Sequence, residues 1–277
     1  MAYEKLQHIS VDVTDGVAWA VIDHPPINLW DDAFTKDLIG LVSGFGADDA
    51  TRVLVLTSAD PEFFIAHADV GMILDMEPGS QGAEGEPAAI NVLLDLLSPP
   101  GKVSIALVRG IARGGGSEIA LSCDLRFATP GARFAQPEVG LGIIPGAGGT
   151  QRLTRLVGRA RALEIVLACG DVTGTEAAAI GYVNRVIGDD EIEADVRVLA
   201  ARIAAMPPIA AAAAKRAVGL AHGDATEGYA AEAAGFREGL ADPVARTRLQ
   251  RFLELGGQTR EVETGALDDL FDQLTES

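Results

Sequence analysis

Two glutamates stand twenty residues apart, each close to a cluster of glycines: Glu118 in ARGGGSEIALSCD (112–124) and Glu138 in FAQPEVGLGIIPGAGGTQRL (134–153). Two carboxylates meeting in one pocket can hold a water between them and pass protons to and from carbon. Gly114, Gly115 and Gly116 lack side chains, so a ligand can reach the main chain there, and the backbone can take unusual dihedrals. The stretch that follows reads as a helix, whose free N–H groups and positive dipole end face back toward the glycines. Such a place stabilises an oxygen that is gaining negative charge. Each feature also has a plainer use. A glycine run can be a tight strand-to-helix turn, and a glutamate in a first helical turn can simply complement the dipole. In its apolar setting, Glu138 can be satisfied by backbone donors.

The elements that must carry these residues follow from periodicity. VAWAVID (17–23), RVLVLTS (52–58) and VSIALVRG (103–110) are short, β-branched and read as strands. Between the first two, Phe34, Leu38, Leu41 and Phe45 recur at helical spacing behind an aspartate pair suited to capping. LRFATPGARFA predicts strand, turn and strand, and GTQRLTRLVG a short helix stopped at Gly158, with RALEIVLAC another helix. A capped helix around Glu176, a stop at Gly181 and a strand through Val186 come next, and the chain reads as helical from Asp190 onward. Breaks are expected at Pro207-Pro208, Gly223 and Asp242-Pro243. Alternating strands and helices followed by a helical tail place the chain in the α/β class. EPGSQGAEGEPA (77–88) is a low-complexity patch expected to be a mobile surface loop.

Composition narrows the function. The 277 residues are 48% hydrophobic and 22% charged, enough for one large core with an appendage. The longest apolar candidate for a membrane span, IAAMPPIAAAAA from Ile203, is split by Pro207 and Pro208. A formal charge of −18 opposes nucleic-acid binding and serves solubility, while helix N-termini and a few arginines still allow a small anionic ligand. The opening MAYEKLQHIS lacks the apolar core of a signal peptide. Cys123 and Cys169 form neither a metal spacing nor a disulfide framework, and the expectation is a cytoplasmic protein.

The segment GIARGGGSEIALSCDLRFATPGARFAQPEVGLGIIPGAGGTQRLTRLVG closely resembles the signature region of the enoyl-CoA hydratase/isomerase (crotonase) family. The likeness runs from about Val11 to about Ile209 and fades in the tail. It implies a crotonase-like core of repeated strand-strand-helix units over residues 1–206. A helical C-terminal region, 207–277, would serve trimerisation and pocket closure. The implied substrate is an acyl-CoA thioester, with no cofactor beyond the coenzyme A of the substrate and no metal. Glu118 and Glu138 match the catalytic glutamates of the hydratases, and Gly115 matches one backbone donor of the oxyanion hole. FFIAHADVGMI (63–73) matches the loop of the other donor, making Ala68 the donor and Asp69 the residue after it. The resemblance also implies substrate contacts at Gly114, His67, Asp69 and the Ala66 backbone, the last toward the adenine. His67 replaces the usual glycine. It can narrow the pocket, bind phosphates of the substrate or point to solvent, and the last is the expectation.

The resemblance implies trimers, often paired into hexamers. Keeping both glutamates favours hydration of a 2-enoyl-CoA over isomerisation. Hydrolysis or another CoA-ester conversion is an alternative, as is a non-catalytic CoA-binding role. Ser117 invites a peptidase reading, but none of His8, His24, His67 or His222 has a recognisable triad context. Trp19 and Trp30 read as packing residues, and both cysteines as small buried hydrophobes.

Overall fold

The computed structural model describes residues 6–77, 85–206, 208–219 and 243–265, with a few single positions such as Tyr3, Phe236 and Leu240. Most of the low-complexity patch, residues 78–84, and the break expected at Gly223 lie outside the described residues. The chain opens with a hairpin. β1 (Ile9–Thr14) pairs antiparallel with β2 (Val17–Ile22) across Asp15 and Gly16, whose φ values are +51° and +79°. Aspartate-glycine is a favoured pair for such a turn, because both positions need positive φ. β1 alternates apolar and polar residues along ISVDVT but is largely exposed, as suits an edge strand.

After β2 comes α1 (Asp32–Ala47), whose cap Asp31 accepts from the Phe34 N–H. Phe34, Leu38, Leu41 and Phe45 all face the core, as their spacing predicts. A strand-strand-helix unit follows: β3 (Val53–Ser58), β4 (Phe63–Ile65) and α2 (Val70–Asp75). After α3 (Ala89–Asp95), β5 (Val103–Val108), β6 (Ile111–Arg113) and α4 (Gly115–Ser122) repeat it. The third pass is β7 (Leu125–Ala128), β8 (Arg133–Ala135) and a 3₁₀ turn at Glu138–Leu141, then α5 (Gly149–Val157) and α6 (Arg159–Ala168). The core ends with β9 (Val172–Thr173), α7 (Gly174–Ile180), β10 (Arg185–Val186) and α8 (Ile192–Ala204).

The first strand of each unit enters a six-stranded sheet of order β1-β2-β3-β5-β7-β10, and the second enters a four-stranded sheet of order β4-β6-β8-β9. β4, β6 and β8 are parallel neighbours. The segments leaving their carboxyl ends therefore emerge side by side. In open α/β sheets, that edge is where ligands bind. The three-residue strands β4 and β6 were too short to stand out by periodicity. α7 carries the expected capping box between Thr173 and Glu176.

The C-terminal helix Pro243–Glu254 packs on its own chain. Ala245, Leu249 and Phe252 join Val70, Leu141 and Ile143 in one apolar cluster next to the three strand ends. Among the described residues, no helix is long and apolar enough to cross a membrane.

Candidate active site

Three segments build the site, one from each parallel strand end. The first leaves β4 as Ala66-His67-Ala68-Asp69. Trp30 N–H donates to His67 O and Asp69 N–H donates to Trp30 O, both at 2.9 Å, forming a parallel bridge between Trp30 and Ala68. The N–H and C=O of a trans peptide point in opposite directions. Pinning His67 O on Trp30 therefore turns the Ala68 N–H away from it. Asp69 closes the segment as N-cap of α2, accepting from the N–H groups of Gly71 (2.6 Å) and Met72 (3.2 Å).

The second segment is the glycine run, where β6 becomes α4. Gly114 has φ +47°, and its N–H donates to Ala135 O at 3.0 Å. A Cβ there would come within 2.7 Å of Glu138 Oε1. At Gly115 it would lie 2.7 Å from the Trp30 ring and 3.4 Å from the Ala68 Cβ. At Gly116 it would come within 2.1 Å of the Ile65 carbonyl oxygen. The three glycines thus serve three neighbours: a carboxylate, the indole and Ala68, and the adjacent strand. Gly115 opens α4, so its N–H has no partner within the helix. Among the described residues, neither the Ala68 nor the Gly115 N–H has a hydrogen-bond acceptor.

The third segment leaves β8 as Gln136-Pro137-Glu138 and enters the 3₁₀ turn. The C-terminal helix braces this turn: Arg248 donates to Gly140 O at 2.7 Å, and a Cβ on Gly142 would meet the Ala245 Cα at 2.7 Å.

These segments enclose a cavity of about 280 Å³ whose wall includes Ala68, Gly115, Glu118 and Glu138. Trp30, Met72, Met76, Ile90 and Phe236 supply an apolar side. Glu118 is buried, and its Oε1 accepts from the N–H groups of Ala147 and Gly149, each at 2.8 Å. Burial pushes its carboxyl above the ordinary value, with those two N–H groups and the Arg152 charge partly opposing the shift. Arg152 holds the donating turn by bonding Ala147 O at 2.8 Å and Asp95 at 2.7 Å. With Oε1 occupied by the backbone, Oε2 is the Glu118 oxygen left to act in the cavity.

The structure thus gathers four of the expected residues, Glu118, Glu138, Ala68 and Gly115, and gives the others different places. Ala66 is fully buried; its N–H donates to Ile27 O and its carbonyl accepts from Arg113 N–H, both at 3.2 Å. Both backbone groups of Ala66 thus take part in the core's hydrogen bonding. His67 is corrected from its expected solvent-facing position. Only 8% exposed, it bonds Glu263 and the Ala68 carbonyl. Gly114 makes room for Glu138, and Asp69 spends its side chain on capping. Trp30 does more than pack, since it aligns the Ala68 segment and lines the cavity. The Ala147 and Gly149 donors went unassigned in the sequence reading, although the glycine-rich turn beside Glu138 was their visible signal. Phe236 had no signal at all.

The competing nucleophiles are buried. Ser117 is fully buried and bonded to Tyr182 and Gln136, with no histidine among its partners. Burial pushes the Cys123 thiol up to about 12, against any thiolate role.

The enoyl-CoA hydratase/isomerase family model matches residues 12–258. The chain belongs to the enoyl-CoA hydratase/isomerase family. It is similar to the short-chain-enoyl-CoA hydratase of Clostridium acetobutylicum, with 35% identity over 77% of this chain and 82% of that protein. The crotonyl-CoA hydratase of Syntrophomonas wolfei is 36% identical over 73% of this chain and 76% of its own length. Among solved structures, a candidate enoyl-CoA hydratase from Streptomyces avermitilis superposes with a TM-score of 0.89 at 33% identity, covering 98% of this chain and 99% of that one. The family likeness therefore extends well past the glycine-rich signature and takes in most of the helical tail.

Proposed function

We propose that this protein is an enoyl-CoA hydratase that reversibly adds water across the double bond of a 2-enoyl-CoA thioester. The carrying observation is that two carboxylates and two backbone N–H groups without acceptors line one cavity. In this reading the thioester oxygen sits between the Ala68 and Gly115 N–H groups, which stabilise the enolate as charge develops there. A water held by Glu118 and Glu138 gives its oxygen to C3 and one proton to a carboxylate, while a carboxyl proton goes to C2. The sum is water plus alkene giving alcohol; the pair of glutamates keeps one proton between them, now on the other carboxyl, and its return restores both for the next turnover. The site reading calls for no cofactor beyond the coenzyme A carried by the substrate. The apolar side of the cavity suits the acyl chain.

The assembly in this reading is a homotrimer, or trimers paired as a hexamer, working in the cytoplasm. Static light scattering is expected to give a multiple of three chains, and a monomer at micromolar concentration would refute that part. The activity itself is tested with a panel of 2-enoyl-CoA chain lengths, following loss of the conjugated thioester absorbance. Turnover of at least one chain length, lowered by orders of magnitude in Glu118→Gln and in Glu138→Gln, is expected. A well-folded wild type that hydrates none of them would refute the reading.

A further inference from the structure

Behind the Ala68 segment lies an ionic network that the hydration chemistry does not use. His67 Nε2 lies 2.6 Å from Glu263 Oε1, and His67 Nδ1 lies 2.8 Å from the Ala68 carbonyl oxygen. Glu263, on the short helix Arg260–Glu263, is 2% exposed; its Oε1 also accepts from the Gln258 N–H at 2.7 Å. Arg113, which directly precedes the glycine run, donates to Glu263 O and to Gly265 O at 3.0 Å each. Its other face grips Asp171 through Nε at 2.8 Å and through a terminal nitrogen at 2.6 Å. Arg260 fastens the same short helix to Asp60 at 2.8 Å and to Pro26 O at 3.0 Å. The C-terminal segment is thereby clamped against the two segments that carry the candidate oxyanion donors. A small second cavity of about 40 Å³ separates His67 and Glu263 from Glu138.

Resting on the hydratase reading, we propose that His67 is a positioning residue of the oxyanion hole: docked on Glu263 of the C-terminal segment, it holds the Ala68–Asp69 peptide and so sets the aim of the Ala68 N–H. The hydrogen-bond chemistry gives the device its form. A carbonyl oxygen and a carboxylate oxygen only accept, so both imidazole nitrogens must donate and His67 is an imidazolium. The peptides on either side of Ala68 are then both fixed. Trp30 holds the His67 carbonyl, while Trp30 and His67 together hold the Ala68–Asp69 peptide. Losing the imidazolium breaks one of its two bonds, which loosens either Ala68 or the C-terminal segment.

The charges around His67 decide when that happens. Glu263 and Arg113 touch the pair, Asp171 lies behind Arg113, Glu138 faces across the small cavity, and Asp69 is occupied as a cap. Burial disfavours the imidazolium, but the Glu263 charge, its hydrogen bond and the Ala68 carbonyl outweigh burial and Arg113, raising the His67 pKa above its ordinary value. Burial of Glu263 is likewise outweighed by His67, the Gln258 N–H and Arg113, leaving its carboxyl below the ordinary value. The bonded pair therefore persists at neutral pH and is lost as pH rises through the raised His67 pKa.

The test measures kcat and KM for crotonyl-CoA against pH in wild type, His67→Leu, His67→Gln and Glu263→Gln, with folding checked by circular dichroism. Wild-type kcat should fall along an alkaline limb that His67→Leu and His67→Gln lack. At neutral pH, kcat of His67→Leu should drop roughly tenfold to a hundredfold, the scale of a misplaced catalytic group, with KM little changed. His67→Gln, which keeps one donor, should recover part of the loss. A merely structural histidine would change the melting temperature while leaving the limb and the kcat of folded enzyme alone. That result would overturn the proposal. If His67→Leu does not fold, the glutamine variants decide by the same limb. Imidazole nitrogen resonances of ¹⁵N-histidine-labelled wild type give a readout free of turnover. A His67 ring protonated on both nitrogens at neutral pH supports the proposal, and a neutral ring overturns it. Wild type without hydratase activity would refute the function reading instead, leaving the resonance test of His67 in force.

Discussion

Glu118 separates two effects that most active-site substitutions mix. Its Oε1 accepts from two buried N–H groups, those of Ala147 and Gly149, each at 2.8 Å. Glutamine has a carbonyl oxygen in the same place, so Glu118→Gln can keep both bonds while removing the exchangeable carboxyl proton. Glu118→Ala leaves both donors buried without an acceptor, at about 1–3 kcal/mol each, or about 2–6 kcal/mol together. For a chain of this size, each kcal/mol moves Tm by roughly 2–4 °C, so alanine should melt several degrees or more below glutamine. Both should lose hydratase turnover alike, by about 10²–10⁴-fold, the usual contribution of a positioned acid or base. The assay is initial-rate hydration of crotonyl-CoA alongside thermal unfolding of both variants. Equal melting temperatures would refute the role given to the Ala147–Gly149 turn. A glutamine variant with near-wild-type kcat would refute the role given to the carboxyl.

Three further outcomes follow from the same geometry. Gly114→Ala places a methyl against Glu138 Oε1 at a backbone position with φ +47°, so it should cost about 1–3 kcal/mol of stability and lower kcat by displacing that carboxylate; unchanged kinetics would count against it. Ala68→Pro removes one candidate oxyanion donor, and a folded variant should lose about a hundredfold or more in rate, with circular dichroism as the check on folding. Because burial raises the folded-state pKa of Glu118, the stability linked to its protonated form is full below the unfolded pKa and is lost as pH rises through the raised value. The Tm of Glu118→Gln relative to wild type should therefore climb with pH across the carboxylate range, and a flat difference would contradict the shift.

Much of the frame could be read because its signals are local. The core-facing residues of α1 recur at helical spacing behind an aspartate cap; the buried strand β3 opens on four apolar residues, and β5 is apolar but for Ser104. The candidate catalytic pair was legible for a different reason. Glu118 and Glu138 sit at equivalent ends of neighbouring strand-strand-helix units, and β6 and β8 run in register with Arg113 opposite Ala135. One unit of the repeat separates them along the chain, and one strand spacing separates their strands in space.

The residues that escaped reading depend on contacts between distant parts of the chain. His67 and Glu263 are 196 positions apart, and nothing near His67 in sequence marks an acidic partner. Read locally, a histidine in a surface-like loop belongs in solvent. It goes inside because the C-terminal segment covers it and brings a carboxylate along, with Phe252 edge-on to the imidazole at 5.6 Å between ring centres. The same segment packs on Leu141 and Ile143 beside Glu138, so one docking event covers both the candidate oxyanion loop and the turn that bears the second glutamate. A tail with that position cannot be only an assembly device. Loosening it should disturb kcat before it disturbs the two sheets, whose strands among the described residues all lie at or before β10.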